Sequence, residues 1–530
     1  MKKLIALLLA FAMVFTLAAC SGGGGSSDGG GETSGDVKRL VIADDEWYGT
    51  DPYQQDTWST VQTLINEPIF SIDPDTGALN DSIATGLEVS EDGLTMTFTV
   101  PEGKYYASGE QVEPEDIKAS LEYGQQISPY AEGWENIESI DVDEATRTVT
   151  FHLSRFSSDL LYYLGECFIG CIDKDQLDTM TEDELMWGAQ CYAPFYVDSY
   201  EPGSFVVLKK NEGFKSDNPY VSNKGPVDID EIYVKFNTDD FTVIEEMKSG
   251  ACDYWNAPTP DARQQLANNS NVVIAEKSYP VTDFMEINTD EGIFADQRLR
   301  EALCLLLNRE QYCEKTNGAA VPAYSMIYDT MLYFSQAAKD DFMANYANNE
   351  TRALELLAEA GWADTDGDGI LDKDGQKFEF GMYASTDSTR QAIVQAMQEH
   401  LKGYGMIMNA EAIDWNYVHE YLEADDYDTG IHSLEWMEPI LILNCMYDDP
   451  EYINGGDNDY QWFYDEVTKC AAEPDDEVRS DMLGALQMKN HPEWNCIPIY
   501  SDISYVCFSS RVKGINILPN GFIYWNDLSL

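Results

Sequence analysis

Positive charge is scarce in this chain: 32 lysines and arginines stand against 95 aspartates and glutamates, for a formal net charge of −63. So acidic a surface repels phosphate backbones and anionic head groups, which argues against nucleic acid and anionic lipid as partners. Histidine is scarcer still, with five scattered along 530 residues. The Walker loop and His-Glu-x-x-His are missing, Gly-x-Ser-x-Gly does not occur after residue 36, and His419-Glu420-Tyr421-Leu422-Glu423 only half resembles the zinc motif. Cys167-x-x-x-Cys171 with Cys191 lacks a fourth ligand for zinc. Enzyme chemistry therefore has little support. The competing class, a secreted glycan hydrolase, rests on carboxylates and aromatics alone, and no catalytic pair stands out among 95 acids. After residue 17 there is no apolar run long enough to span a bilayer.

What is present starts at the first residues. Lys2 and Lys3 precede an apolar run from Leu4 to Leu17, the layout of an export signal. The run closes in Leu17-Ala18-Ala19-Cys20, which resembles the lipobox where bacterial lipoproteins are cleaved and lipidated; a plain secretory signal is the alternative. On the lipobox reading, residues 1–20 are a lipoprotein signal peptide, Cys20 is the mature N-terminus, and its acyl chains tether the protein to the outer face of the cytoplasmic membrane. Residues 21–36, nearly all Gly, Ser, Asp, Glu and Thr, cannot bury apolar surface and read as a flexible linker of roughly 20 Å reach. Without Lys2 and Lys3 the net charge is near −65, which suits a solvated secreted surface.

The remaining residues, 44% hydrophobic and 12% aromatic over the whole chain, are globular and too many for one core. Ten cysteines follow Cys20, several inside apolar stretches such as Leu303-Cys304-Leu305-Leu306, so free buried thiols compete with disulfides and no pairing follows. Strand and helix patterns mix. Arg39 to Ala43 reads as a short apolar strand, and Leu94 to Val100 alternates with period two behind the turn Glu91-Asp92-Gly93. Glu113-Pro114-Glu115-Asp116 opens a helix with acids in its first turn. Thr146–Leu153 and Phe205–Lys209 are further strands. Leu299–Leu307, Ala353–Ala360 with Gly361 as its stop, and Thr389–Leu401 carry apolar residues at helical spacing.

Several segments, spread from Glu67 to about Gly514, share one pattern. They are Glu67-Pro68-Ile69-Phe70-Ser71-Ile72-Asp73-Pro74-Asp75-Thr76-Gly77, then Glu88 to Thr95, then Glu102-Gly103-Lys104 with Ser108-Gly109-Glu110, then Pro114 to Glu122. Phe284-Met285-Glu286-Ile287-Asn288-Thr289, Phe294 to Leu303, Asn308-Arg309-Glu310, and Ala353 to Gly361 followed by Asp366-Gly367-Asp368-Gly369 continue it. In this order they resemble the extracellular solute-binding proteins of family 5, the peptide/nickel lipoproteins of ABC importers. The resemblance implies an α/β, periplasmic-binding-protein-like type II fold of cluster C: two lobes with a subdomain inserted in the first. Projected onto this chain, lobe I takes 37–66, 190–285 and 500–530, the insert 67–189, and lobe II 286–499. It also implies a monomer that captures a short peptide outside the membrane and passes it to permease subunits. An oligosaccharide or a nickel chelate is the alternative ligand.

Departures from the family pattern bear on the ligand. Gln190-Cys191-Tyr192-Ala193-Pro194-Phe195 stands where members often carry Gly-Thr-Gly-Pro-Tyr. Peptide-binding members carry an aspartate near a tryptophan to pair with the peptide ammonium. Here the segment is His432-Ser433-Leu434-Glu435-Trp436-Met437-Glu438-Pro439, and the Glu438-Pro439 register puts Glu435 at the acid's position. A buried carboxylate facing an ammonium is favourable when good geometry offsets desolvation. Trp436, Trp415 and Tyr383 are candidate aromatic walls, Tyr48 a candidate from the other lobe, and Arg390 the one arginine near the expected region for a ligand carboxylate, on a helix with an open choice between cleft and solvent. Asp364-x-Asp366-x-Asp368-Gly369-x-x-Asp372 has the spacing of a calcium loop, with the Ile370 carbonyl as a further ligand, but Gly375 stands where the bidentate glutamate belongs. No cofactor is required, and any calcium would be structural.

Overall fold

The apolar run Arg39–Ala43 forms the first strand, β1, with Leu40 and Ile42 fully buried. The computed structural model describes residues 37–530 except 45–46, 56–58, 74–75, 167, 278–280, 415–426, 434–437, 441, 444–460, 494, 519–520 and 522. After β1 the chain leaves for a separate antiparallel sheet: β2 (Thr85–Val89), β3 (Thr95–Thr99), helix α1 (Pro114–Ile127), β4 (Ile137–Asp143) and β5 (Thr148–Leu153), in spatial order β2-β3-β5-β4. The period-two pattern in β3 sends Met96 and Phe98 into the core and the threonines outward. Helix α1 begins where its proline and acids require: Pro114 is the first helical residue, and Asp116 accepts a hydrogen bond from the Glu113 N–H at 2.8 Å. Burial lifts the Asp116 carboxyl to about 6.

The chain then returns through β6 (Phe195–Glu201), β7 (Phe205–Lys210), β8 (Glu231–Lys235), α2 (Asp240–Ser249), β9 (Tyr254–Asn256), α3 (Pro260–Leu266) and β10 (Val272–Lys277). A second large sheet follows: β11 (Asp283–Ile287), α4 (Gln297–Leu306), β12 (Ala320–Pro322), α5 (Glu350–Glu359), β13 (Glu379–Ser385), α6 (Ser388–Lys402), β14 (Ile407–Ile413), β15 (Thr429–Ser433), α7 (Gln461–Ala471), α8 (Asp476–Asn490) and β16 (Cys496–Asp502). Strand β17 (Ser504–Ser509) completes the first sheet. That sheet has the order β10-β17-β9-β1-β8-β7-β6, and the second has β12-β16-β11-β15-β13-β14. Parallel pairs β1/β8, β1/β9, β13/β14 and β13/β15 form around the crossover helices.

This is the two-lobed type II architecture, with the four-stranded sheet as the inserted unit. The chain changes sheet between Lys277 and Asp283 and again at Ile503. The partition drawn from the resemblance cuts at 285/286 and 499/500, which fall inside β11 and β16. Both strands are hydrogen-bonded along their length within lobe II, so each belongs to that lobe whole. Gly361 sits at φ +90° just past α5, the left-handed stop expected of it. All eight cysteines among the described residues are buried. No helix among those residues is long and apolar enough to cross a membrane.

Candidate functional site

Strands β13 and β15 run parallel and end at Ser385 and Ser433, while antiparallel β11 begins at Asp283 opposite Ser433 and Tyr500. These residues meet at the end of the lobe II sheet where the chain crosses to lobe I. In open α/β sheets ligands bind beyond the carboxyl ends of the strands, so this end is the floor of the candidate site. Arg390, in the first turn of α6, is 7% exposed and folds back onto that floor. Its guanidinium donates to Asp283 Oδ1 at 2.5 Å, Ser385 Oγ at 2.9 Å, Ser433 Oγ at 3.1 Å and the Tyr500 hydroxyl at 3.4 Å. Four of the five guanidinium N–H groups are thus engaged inside lobe II, and Arg390 is buried there rather than solvent-facing. Asp283 is fully buried, and its Oδ2 has no hydrogen-bond partner among the described residues. Burial, and next the nearby Asp283 charge, push the Tyr500 hydroxyl well above its ordinary range.

The other face of the same sheet holds a second buried carboxylate. Glu286 accepts from the Tyr383 hydroxyl at 3.0 Å and the Tyr427 hydroxyl at 2.6 Å, and lies 2.7 Å from His432 Nε2. Glu286, Tyr383 and Gly430 are register partners in one row, and Tyr383 fills the space a Cβ at Gly430 would occupy, its Cζ 2.0 Å from that position. Tyr383 is 3% exposed and packs edge-on to Tyr427 at 5.7 Å. The expectation of a ligand-facing wall is thereby corrected: Tyr383 is a core residue whose hydroxyl caps a buried acid. Burial, and next Glu286, hold that hydroxyl well above its usual range.

In lobe I the segment after β1 forms the matching rim. Asp44 accepts from the Thr60 N–H at 3.1 Å and from Asn256, the last residue of β9, at 3.3 Å. Trp47 packs edge-on against Trp187 and Tyr200, both at 5.5 Å. Tyr48 is half-buried at this rim. Trp415, Glu435, Trp436 and Cys20 lie outside the described residues; the chain enters Glu435 two residues after Ser433, the end of β15.

The acidic hairpin is remote from this floor. Carboxylate oxygens of Asp364, Asp366 and Asp372 lie within 4.8 Å of one another. The loop already satisfies its charges: Asp364 accepts from the Gly367 and Gly369 N–H groups, Asp368 from that of Ile370, and Asp372 from that of Thr365. Lys377 places its ammonium 3.0 Å from Asp366 and 2.9 Å from Asp368, and those two carboxylates raise its pKa. Asp368 is not part of that three-carboxylate cluster.

The family model for bacterial extracellular solute-binding proteins, family 5 (middle region), matches residues 78–438. The chain belongs to that family. Among relatives, the oligopeptide-binding protein AppA of Bacillus subtilis is 26% identical over 245 residues, an alignment covering 46% of this chain and 43% of AppA. The solved structure of AppA with a nonapeptide superposes with a TM-score of 0.73 at 18% identity, covering 93% of this chain and 99% of that one. NikZ of Campylobacter jejuni, solved with Ni(L-His), gives a TM-score of 0.74 at 19% identity, covering 92% and 97%. At such identities these superpositions establish the fold. Asp283, Glu286 and His432, the buried ionisable groups at this end of the lobe II sheet, were not singled out from the sequence. The signal was there in Asp283-Phe284-Met285-Glu286-Ile287: two acids in a strand whose residues are all buried, which demands partners for both.

Proposed function

We propose that this protein is the substrate-binding component of a bacterial ABC importer, capturing short peptides outside the cytoplasmic membrane and delivering them to permease subunits. The family match over residues 78–438 carries the reading. It acts as a carrier rather than a catalyst, held at the membrane by lipid on Cys20 and able to work as a monomer. Glu435 pairs with the peptide ammonium, with Trp436 and Trp415 as walls and Tyr48 closing from lobe I. Contacts from both lobes favour the closed form, and moving the open–closed balance from 1:99 to 99:1 needs about 5.5 kcal/mol of differential affinity. One buried ion pair with backbone hydrogen bonds supplies energy on that scale. The buried Asp283–Arg390 pair beneath Ser385 and Ser433 supports this by making the lobe II floor rigid. Glu435→Gln should weaken binding of peptides with a free amine by more than about tenfold and leave N-acetylated peptides unaffected. Equal affinity of wild type and variant for free-amine peptides would reject the Glu435 assignment. Calcium, if bound, is structural and sits at Asp364, Asp366 and Asp372 with Lys377 displaced.

A further inference from the structure

Among the described residues the chain passes between the two large sheets only from Lys277 to Asp283 and at Ile503. A contact between the lobes anywhere else is one that a hinge motion makes and breaks. One such contact reaches lobe II from the chain between β1 and β6, which carries the inserted unit. There a short antiparallel hairpin, Ser71–Ile72 paired with Leu79–Asn80, sends Ile72 into the insert's own core. Its base is tied to lobe I: the Tyr220 hydroxyl donates to Asp73 Oδ2 at 2.7 Å and accepts from Asn80 Nδ2 at 3.1 Å, and the Tyr220 ring stacks on Tyr524 at 6.3 Å. At the turn the Gly77 N–H bonds the Asp73 carbonyl at 2.9 Å, with Gly77 at φ +74°. Here the hairpin meets Leu332 of lobe II, and a Cβ at Gly77 would lie 2.7 and 2.8 Å from the two Leu332 methyl groups. The glycine thus serves twice, adopting the left-handed turn and letting the leucine reach the backbone.

Lobe II presents Leu332 on a strained turn. Tyr333, next in the chain, sits at φ +55°, a left-handed conformation that a bulky side chain keeps only when its surroundings hold it. The holder is Arg479 of α8, whose side chain is fully buried. It donates to the Tyr333 hydroxyl at 2.7 Å, to Asp476 Oδ1 at 2.5 Å and to the Glu473 carbonyl at 3.0 Å. Its guanidinium carbon lies 5.0 Å from the Tyr333 ring centre and 5.8 Å from that of Phe156, which follows β5 in the inserted unit. The arginine that fixes the lobe II turn therefore packs against a ring from across the lobes. Phe156 is itself buried, packed over Gly93. The contact is narrow: beside it an open groove of about 760 Å³ is lined by Thr76 from the insert and by Asp329, Asp476 and Glu477 from lobe II. One leucine and one ring are enough to bias closure and few enough to release.

We infer that the inserted unit is a latch on lobe II, with Gly77 and Phe156 as the catch and Leu332 and Arg479 as positioning residues that raise ligand affinity through the lobe angle rather than through contact with the ligand. The inference deepens the reading of the chain as a two-lobed capture protein and rests on that reading, but not on the chemistry of the ligand. Its energetics are those of a contact present in one of two states. Whatever Leu332 and Phe156 gain by burial against the other lobe counts toward the closed form alone, and apparent affinity follows the closed fraction. Burying part of one leucine shifts such a balance by about a factor of ten.

Two measurements on the mature chain test it. The first uses a pool of random tripeptides as the probe and reads the pool concentration that gives half the maximal rise in Tm. That concentration should be about tenfold higher for Leu332→Asp than for wild type, and within about twofold of wild type for the volume-conserving Leu332→Met. A leucine with only a packing role would lower the Tm of the peptide-free protein and leave the concentration unchanged, a result that overturns the latch. The second needs no ligand. Leu332 Cγ lies 3.3 Å from the Cβ position of Gly77, so the pair Gly77→Cys/Leu332→Cys is within bridging reach in the closed form. Under mild oxidation without peptide it should bridge, and small-angle X-ray scattering should give the bridged protein a smaller radius of gyration than the same protein kept reduced. Failure to bridge, or equal radii, overturns the latch. If the pool raises the Tm of no variant and not of wild type, the peptide reading falls, and the scattering comparison by itself decides the latch.

Discussion

Arg390→Met is the substitution whose consequence follows most directly from the geometry. Arg390 and Asp283 are 8% and 0% exposed at their side chains and 2.5 Å apart, and one Asp283 oxygen has no partner among the described residues. Removing the guanidinium leaves a buried carboxylate with no counter-charge and takes one donor each from Ser385, Ser433 and Tyr500. Breaking one side of a buried pair costs about 3–5 kcal/mol, because water cannot reach the orphaned ion. Replacing both partners with apolar residues costs far less. Asp283→Leu/Arg390→Met should therefore recover most of the loss, within about 2 kcal/mol of wild type. Urea unfolding followed by fluorescence, on the single and double variants, reads both quantities. A single-variant loss below about 1 kcal/mol, or a double variant no more stable than the single, would refute the claim that this pair is the floor of lobe II.

Two more perturbations test separate parts of the molecule. The Asp116 carboxyl, at about 6 in the fold against 3.8 for the free group, is a buried acid that prefers its proton. The unfolded chain ionises first, so this group's contribution is intact below about pH 4, falls as pH rises, and is fully lost above about pH 6. Asp116→Asn does not titrate, and its stability relative to wild type should rise between pH 4 and 7 by up to about 3 kcal/mol; a difference independent of pH in urea unfolding would count against the burial argument. In the acidic hairpin, Lys377→Met removes the ammonium from Asp366 and Asp368, so Ca2+ at about 1 mM should raise the Tm of this variant more than that of wild type. No response in either protein would leave the hairpin as a lysine-clamped turn.

The sequence announced its local structure well where a single physical rule decides it. Period-two alternation gave β3 to within a residue at each end, and Glu113 to Asp116 marked the start of α1, because a proline and acids at a helix start act through the local backbone. Family segments along the chain pointed to two lobes, but not to the strand ends where the chain changes sheet, since register is decided by pairing partners hundreds of residues away. Tyr383 and Arg390 show the same divide at the site. Both were expected to face a ligand. The neighbours that claim them, Glu286 and Asp283, come from a strand about 100 residues earlier and are brought alongside only by the sheet.

The most direct measurement of the central claim is a thermal-shift panel on the mature chain, with peptide pools, cello- and manno-oligosaccharides, and nickel–histidine offered separately. A ligand at 100 times its Kd stabilises the bound form by about 2.7 kcal/mol. The account predicts a rise in Tm with peptides bearing a free amino end, and none with the sugars or the nickel complex. A rise with a sugar or with nickel–histidine, and none with any peptide, would contradict it.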